Sequence, residues 1–304
     1  LYIIAVMGYS IALIPPFLDS IAVYVDKFLL SKFDINSTII TIYSGFFAFL
    51  TGLIILIFTG YSPVDTKSAA IIFLSGFLGI FYLFAYFKAL TYDEGSRVGA
   101  LFQFIPVMVL ILSFLLLGEK LLLKQYVGAS FIIAAGFLLS IQKLETGIFR
   151  VNKAFWFMLL ACFFSASVYV LFKLGVKEIG FWGSLPYEGF GSLAATLCIL
   201  AYGKNFALLK DTKKVFTKKI VGYMTIVEFL ARVSRYILFY ALTLIPASIA
   251  SVLMGFQPLF LLLLGVGLSV WFPHIIKEVV TKKTIGLKLG ATAGIFVGLY
   301  FIFL

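Results

Sequence analysis

Residues 86–91 read Tyr-Phe-Lys-Ala-Leu-Thr, and residues 239–243 read Phe-Tyr-Ala-Leu-Thr, so that Ala89 and Ala241 are 152 positions apart. The same offset aligns Ser96 with Ser248, Leu101 with Leu253, Phe104 with Phe256, Pro106 with Pro258 and Leu110 with Leu262, and it is half of the 304 residues. Nearer the start of each half, Ser20-Ile-Ala-Val-Tyr-Val25 matches Ser165-Ala-Ser-Val-Tyr-Val170, with Lys32 and Lys177 in step. After a seven-residue insertion, Glu119 and Lys124 meet Glu278 and Lys283. A single identity between two apolar segments is weak, but a Tyr, a Pro, a Glu and a Lys in the same order point to an internal duplication.

Composition says what is duplicated. Hydrophobic residues make up 62% of the chain and charged residues 12%, with a mean hydropathy of +1.13. Soluble domains run near ~45–50% apolar and ~25% charged. A water-soluble fold of this length has no means of hiding so much apolar surface, which excludes an aqueous enzyme, a disulfide scaffold and a disordered chain. Ten apolar runs are long enough for membrane helices, near 8–30, 38–59, 68–90, 95–117, 122–141, 154–176, 182–203, 220–243, 247–271 and 284–304. The expected fold is therefore an all-α membrane protein of ten transmembrane helices in two five-helix repeats, residues 1–145 and 146–304. A five-helix unit begins and ends on opposite sides of the bilayer, so a fused second copy is inverted. Inverted repeats are built around a site near the midplane.

The order Ala89-Leu90, Ser96, Pro106, Gly118-Glu119, Gln125 and Gly128, followed by a weaker second copy, resembles the EamA type of the drug/metabolite transporter superfamily. The likeness covers essentially the whole chain and is clearest from Tyr86 to Gly136. It implies a ten-helix carrier of small metabolites, often amino acids or toxic solutes, in a bacterial or archaeal plasma membrane. The second copy departs from the pattern where Trp271-Phe-Pro273 replaces the expected Gly-Glu pair.

The net charge of +11 does not make nucleic acid a partner, because the basic residues lie mostly in short breaks between apolar runs, facing lipid headgroups. Of 24 Lys and Arg, sixteen fall in odd-numbered connections and five in even-numbered ones, leaving Lys88, Arg232 and Arg235 inside spans. The positive-inside rule then puts odd connections in the cytoplasm, whereas the resemblance implies both termini inside, and orientation stays open. The longest connection, Lys204 to Lys219, is lysine-rich and amphipathic enough to lie on the membrane surface. Cys162 and Cys198 have no metal or disulfide spacing, and the lone His274 is a loop residue. No Walker A sequence occurs, so ATP is not the driver and no cofactor is expected. Met7 is an alternative start, and with no charged n-region before the first apolar run a cleaved leader is not expected.

Ionisable groups within spans are costly and default to functional candidates. Glu228, Arg232 and Arg235, spaced i, i+4 and i+7, share one face of the eighth span. Glu228 would hold one arginine while the other offers a planar donor fork to a substrate carboxylate; the alternative is a closed structural network. With Asp19 added, the deep charges sum to zero. Asp19 is a proton-coupling site if Pro15-Pro16 breaks a helix begun earlier, and a solvated end residue if the prolines start one. Prolines 106 and 258 should kink the fourth and ninth spans, freeing the carbonyls of Phe102 and Met254 beside Gln103 and Gln257. Tyr24, Tyr86 and Tyr169 are candidates for an aromatic wall. The candidate substrate site is thus Asp19, Tyr86, Gln103, Tyr169, Glu228, Arg232, Arg235 and Gln257. Lys88 is expected to snorkel, Glu119 and Glu278 to act at gates or turns, and Glu188 to be a rim charge. In the last span, Gly286, Gly290, Gly294 and Gly298 form a bare stripe expected to pack on Gly128 and Gly136 of the fifth.

These features predict a secondary transporter of a small polar metabolite, an amino acid or similar carboxylate, working by alternating access in a lipid bilayer, with a proton as the candidate coupling ion, as monomer or homodimer. A flippase for a lipid or lipid-linked sugar is the alternative, and an intramembrane enzyme a remote one.

Overall fold

The computed structural model describes residues 2–33, 35–60, 64–92, 101–140, 153–202, 217–271 and 282–303. Ser96, His274, Glu278 and residues 204–216 of the lysine-rich connection lie outside them. The described elements are helical, with no strand among them: α1 Tyr2–Ala12, α2 Ile14–Phe33, α3 Ser37–Thr59, α4 Thr66–Tyr92, α5 Phe104–Leu117, α6 Leu123–Ser140, α7 Lys153–Ile179, α8 Phe181–Ala201, α9 Lys218–Leu244, α10 Ala247–Leu253, α11 Gln257–Trp271 and α12 Lys282–Phe303. Among the described residues the first span comprises α1 and α2, the ninth α10 and α11, and each of the others is represented by one of these helices.

Helix starts follow local chemistry. Asn36 caps α3 by accepting from the Thr38 N–H at 2.9 Å, and Thr217 caps α9 by accepting from the Ile220 N–H at 3.4 Å. Asp65 does the same for α4, accepting from the N–H and the hydroxyl of Ser68 at 2.9 and 2.8 Å, and these bonds hold its carboxyl below the ordinary value.

The proline readings need correction. Pro15 and Pro16 do both things asked of them: a first helix ends at Ala12, and a second restarts at Ile14 with the prolines in its first turn. Asp19 therefore lies inside the first span. Pro106 and Pro258 do not kink continuous helices but sit in the first turns of α5 and α11. The carbonyls of Phe102 and Met254 are not free, because Ile105 and Gln257 donate to them across tight i+3 turns. Two of the spans are consequently discontinuous, at Leu13 and at the 3-10 turn Met254–Phe256, and Phe102 and Gln103 form a turn just before α5.

Among the described residues five helical segments are long and apolar enough to cross a membrane, and two shorter apolar helices, Phe104–Leu117 and Gly290–Phe303, accompany them. Large apolar side chains cover the outside, among them Phe58 at 85% and Leu123 at 82% exposure, as expected of a surface solvated by lipid. Helix α4 lies on both α7 and α8, α2 with α1 on α9, α3 on α8, α6 on α12, α5 on α7, and α11 on α2. The glycine seam between α6 and α12 is present at Gly128 and Gly298, where a Cβ on either would come within 2.7 Å of the other's carbonyl oxygen. The rest of the stripe contributes less. Gly294 faces Ala135, Gly290 faces open space, and Gly136 packs on the Gln103 side chain instead.

Candidate functional site

Glu228, Arg232 and Arg235 project from one face of α9 toward the interior, as their spacing requires. They do not pair as expected. Arg232 donates through Nη1 to both carboxylate oxygens of Glu188, at 3.3 and 3.4 Å, and Arg235 donates to Glu188 Oε1 at 3.5 Å. Glu228 instead accepts from the Ser44 hydroxyl. Glu188 is no rim charge: it is 0% exposed, and Arg232 is 5% exposed. Its position follows from a close helix crossing, since a Cβ on Gly76 of α4 would lie 1.9 Å from the Glu188 carbonyl oxygen and one on Gly191 of α8 would lie 1.9 Å from that of Phe73. Only glycines allow α8 to bring a carboxylate to this depth.

Beside this cluster is a cavity of about 200 Å³. All eight candidate residues line it: Asp19 from α2, Tyr86 from α4, Gln103 before α5, Tyr169 from α7, Glu228, Arg232 and Arg235 from α9, and Gln257 from α11. Tyr24 does not, as its hydroxyl donates to the Leu261 carbonyl at 2.7 Å. Lys88 sits 5.6 Å over the Phe84 ring. The lining also includes residues that the sequence did not single out, Asp26, Ser44, Tyr82 and Phe102. Asp26 was findable, because it is seven residues from Asp19 and shares its face. Tyr82 lies four residues before Tyr86 and pairs with it, ring centroids 6.3 Å apart, while Tyr86 and Phe102 are 5.0 Å apart. Among the described residues two buried polar atoms have no partner, Gln103 Oε1 and Arg232 Nε.

The deep charges do not sum to zero. Glu188 and Asp26 join Asp19 and Glu228, giving four carboxylates against two guanidinium groups.

A second polar cluster lies away from the cavity. The left-handed Gly118 (φ 66°) ends α5, a conformation suited to glycine, and turns Glu119 toward the start of α10. There Glu119 accepts from the N–H groups of Ala247 and Ser248 at 2.8 and 3.1 Å and from the Ser248 hydroxyl at 2.7 Å. Lys173 stands 3.7 Å from the same carboxylate and donates to the carbonyls of Leu242 and Ile245 at the end of α9. The gate-or-turn expectation for Glu119 thus takes concrete form as a clasp joining α5, α7, α9 and α10.

Residues 6–141 match the model of the EamA-like transporter family. Just under half of the chain is therefore similar to that family. A protein of Sinorhizobium sp described as an uncharacterized transporter in the cobO 3' region is 44% identical over 57 residues, 19% of this chain and 40% of the relative, so the matched stretch spans less than half of that protein's length. A solved crystal structure of a protein aligns over 97% of this chain and 96% of its own, with a TM-score of 0.68 at 13% identity, a likeness of fold alone. The segment similar to that family supplies Asp19, Asp26, Ser44, Tyr82, Tyr86 and Gln103 to the cavity, and the residues after it supply Tyr169, both arginines and Gln257.

Proposed function

We propose that the chain is a secondary transporter of the plasma membrane that carries a small polar solute through this cavity by rocking of two inverted halves, residues 1–145 and 146–304. The observation that carries the proposal is the cavity itself, lined by charged and polar groups from both halves at discontinuous spans, as midplane transporter sites are. The helix pairing supports the inversion. Exchanging each span for the one five places on converts the α4–α7 contact into the α9 contact with α1 and α2, and α5–α7 into α11–α2, while α3–α8 and α6–α12 map onto themselves; the broad α4–α8 contact alone has only a slight counterpart, α9–α3. Asp19, beside Ser234 and Arg235 and sharing the cavity with Asp26 and Glu228, is the group assigned to a coupling proton.

The two polar clusters mark the two sides. Asp26 and Tyr86 lie toward the C-terminal ends of α2 and α4, and Ser44 and Glu228 toward the N-terminal ends of α3 and α9, all ends served by odd-numbered connections. The Glu119 clasp joins ends served by even-numbered ones. The structure is therefore read as a state with its site nearer the odd side and its even side clasped.

Labelling tests this. In a chain with Cys162 and Cys198 replaced, Ser251→Cys in the cavity should react with an impermeant thiol reagent from the odd side, and from the even side once substrate or loss of the clasp turns the carrier over. Lys213→Cys and Lys120→Cys identify the odd and even sides. A Ser251→Cys that is reached from one side under every condition rejects alternating access, and exchange of lipid-linked sugars rather than metabolites would make the chain a flippase.

A further inference from the structure

We infer that the solute held in this cavity is a small organic cation, a protonated amine carried on a compact aromatic or apolar body. This rests on the transporter reading above and adds to it the charge of what is carried. Both arginines are engaged by the protein's own Glu188, which takes Arg232 through two contacts and Arg235 through one. That leaves Asp19, Asp26 and Glu228 on the cavity wall, and none of the three makes an ion pair among the described residues. A substrate carboxylate entering here meets three acids, and the two guanidinium groups it could reach are already in contact with Glu188. An ammonium meets the opposite, and in a cavity of low dielectric the difference is amplified.

The unpartnered atoms point independently to a ligand. Gln103 is 6% exposed and lines the cavity, and its carbonyl oxygen, packed against Gly136, has no donor among the described residues; turning the amide toward the cavity would let an amine N–H satisfy it. Arg232 Nε is a buried donor lacking an acceptor, suited to a hydroxyl or carbonyl oxygen on the same molecule. Tyr82, Tyr86 and Phe102 add aromatic rings to the wall beside the acids, and ring faces attract cations while accommodating an apolar body. At about 200 Å³ the cavity is smaller than the ~300–1,000 Å³ typical of drug-sized ligands, which restricts the body to about one ring.

The test uses three probes with one body and three charges: tyramine, tyrosine and 3-(4-hydroxyphenyl)propanoate, exchanged through the full chain in proteoliposomes. Tyramine should exchange at least about tenfold faster than the propanoate, a factor worth about 1.4 kcal/mol. Glu228→Gln, and Asp26→Asn where it folds, should shrink that ratio by removing acid charge. Tyramine should also raise the unfolding temperature of the wild type more than the propanoate does. Preference for tyrosine or the propanoate overturns the cation inference and leaves the transporter reading standing. If none of the three exchanges and tyramine does not stabilise the folded chain, the cation inference falls, and the Ser251→Cys labelling still decides the transporter reading on its own.

Discussion

Removing the Glu188 carboxylate tests the charge cluster most directly. Glu188 is wholly buried and is the partner of Arg232, itself 5% exposed with its Nε already lacking an acceptor. Glu188→Ala leaves a buried guanidinium with no carboxylate in contact, and breaking a buried pair from one side costs about 3–5 kcal/mol. Arg235 loses less, because its contact is 3.5 Å long and its side chain reaches the cavity at 18% exposure. Glu188→Gln keeps an amide oxygen for Arg232 Nη1 and should cost roughly half as much, since hydrogen bonds to charged groups are worth about 1.5–3 kcal/mol. Removing both partners with apolar residues, Glu188→Leu with Arg232→Met, should recover most of the loss, as buried ion pairs are often replaceable without penalty. Equilibrium unfolding in mixed detergent micelles measures these free energies, and adding Glu188→Leu and Arg232→Met as single variants closes the cycle that isolates the pair. A Glu188→Ala cost under about 1 kcal/mol would refute the reasoning, because Arg232 would then have to be hydrated or held by Glu228 instead.

Two further predictions concern the clasp and the seam. Glu119→Ala removes acceptors from two backbone N–H groups at the start of α10 and should cost about 0.5–2 kcal/mol while raising even-side labelling of Ser251→Cys; unchanged labelling would make Glu119 a cap without a gating role. Gly298→Leu should prevent folding, since even a Cβ would sit 2.7 Å from the Gly128 carbonyl oxygen, whereas Gly290→Leu, facing open space, should express as wild type; similar yields of the two would place the seam elsewhere.

What the sequence made legible was whatever depends on spacing along one helix. The shared face of Glu228, Arg232 and Arg235 follows from 3.6 residues per turn, and so does the placement of Gly128 and Gly298 on facing stripes. The ten apolar runs, too, needed only the thickness of a bilayer. Where a helix begins was less legible, because proline permits two outcomes. At Pro15-Pro16 both occur, and at Pro106 and Pro258 the tight turn just before each helix supplies the donors that a kinked helix would have left missing.

Partners across helices were not legible at all. On its own helix Glu228 is the natural mate of Arg232, four residues away, yet Arg232 turns to Glu188, 44 residues away in sequence. That choice depends on Gly76 and Gly191 letting α4 and α8 close to contact, which brings a carboxylate from the neighbouring span to the arginines. Once Glu188 takes the guanidinium groups, Glu228 turns to Ser44 and joins Asp19 and Asp26 on the cavity wall. A site whose charges sum to zero when Asp19 is added to the α9 triad thus becomes acidic through a crossing of small residues elsewhere, so Gly76→Ala should change the charge offered to the substrate without touching an ionisable group.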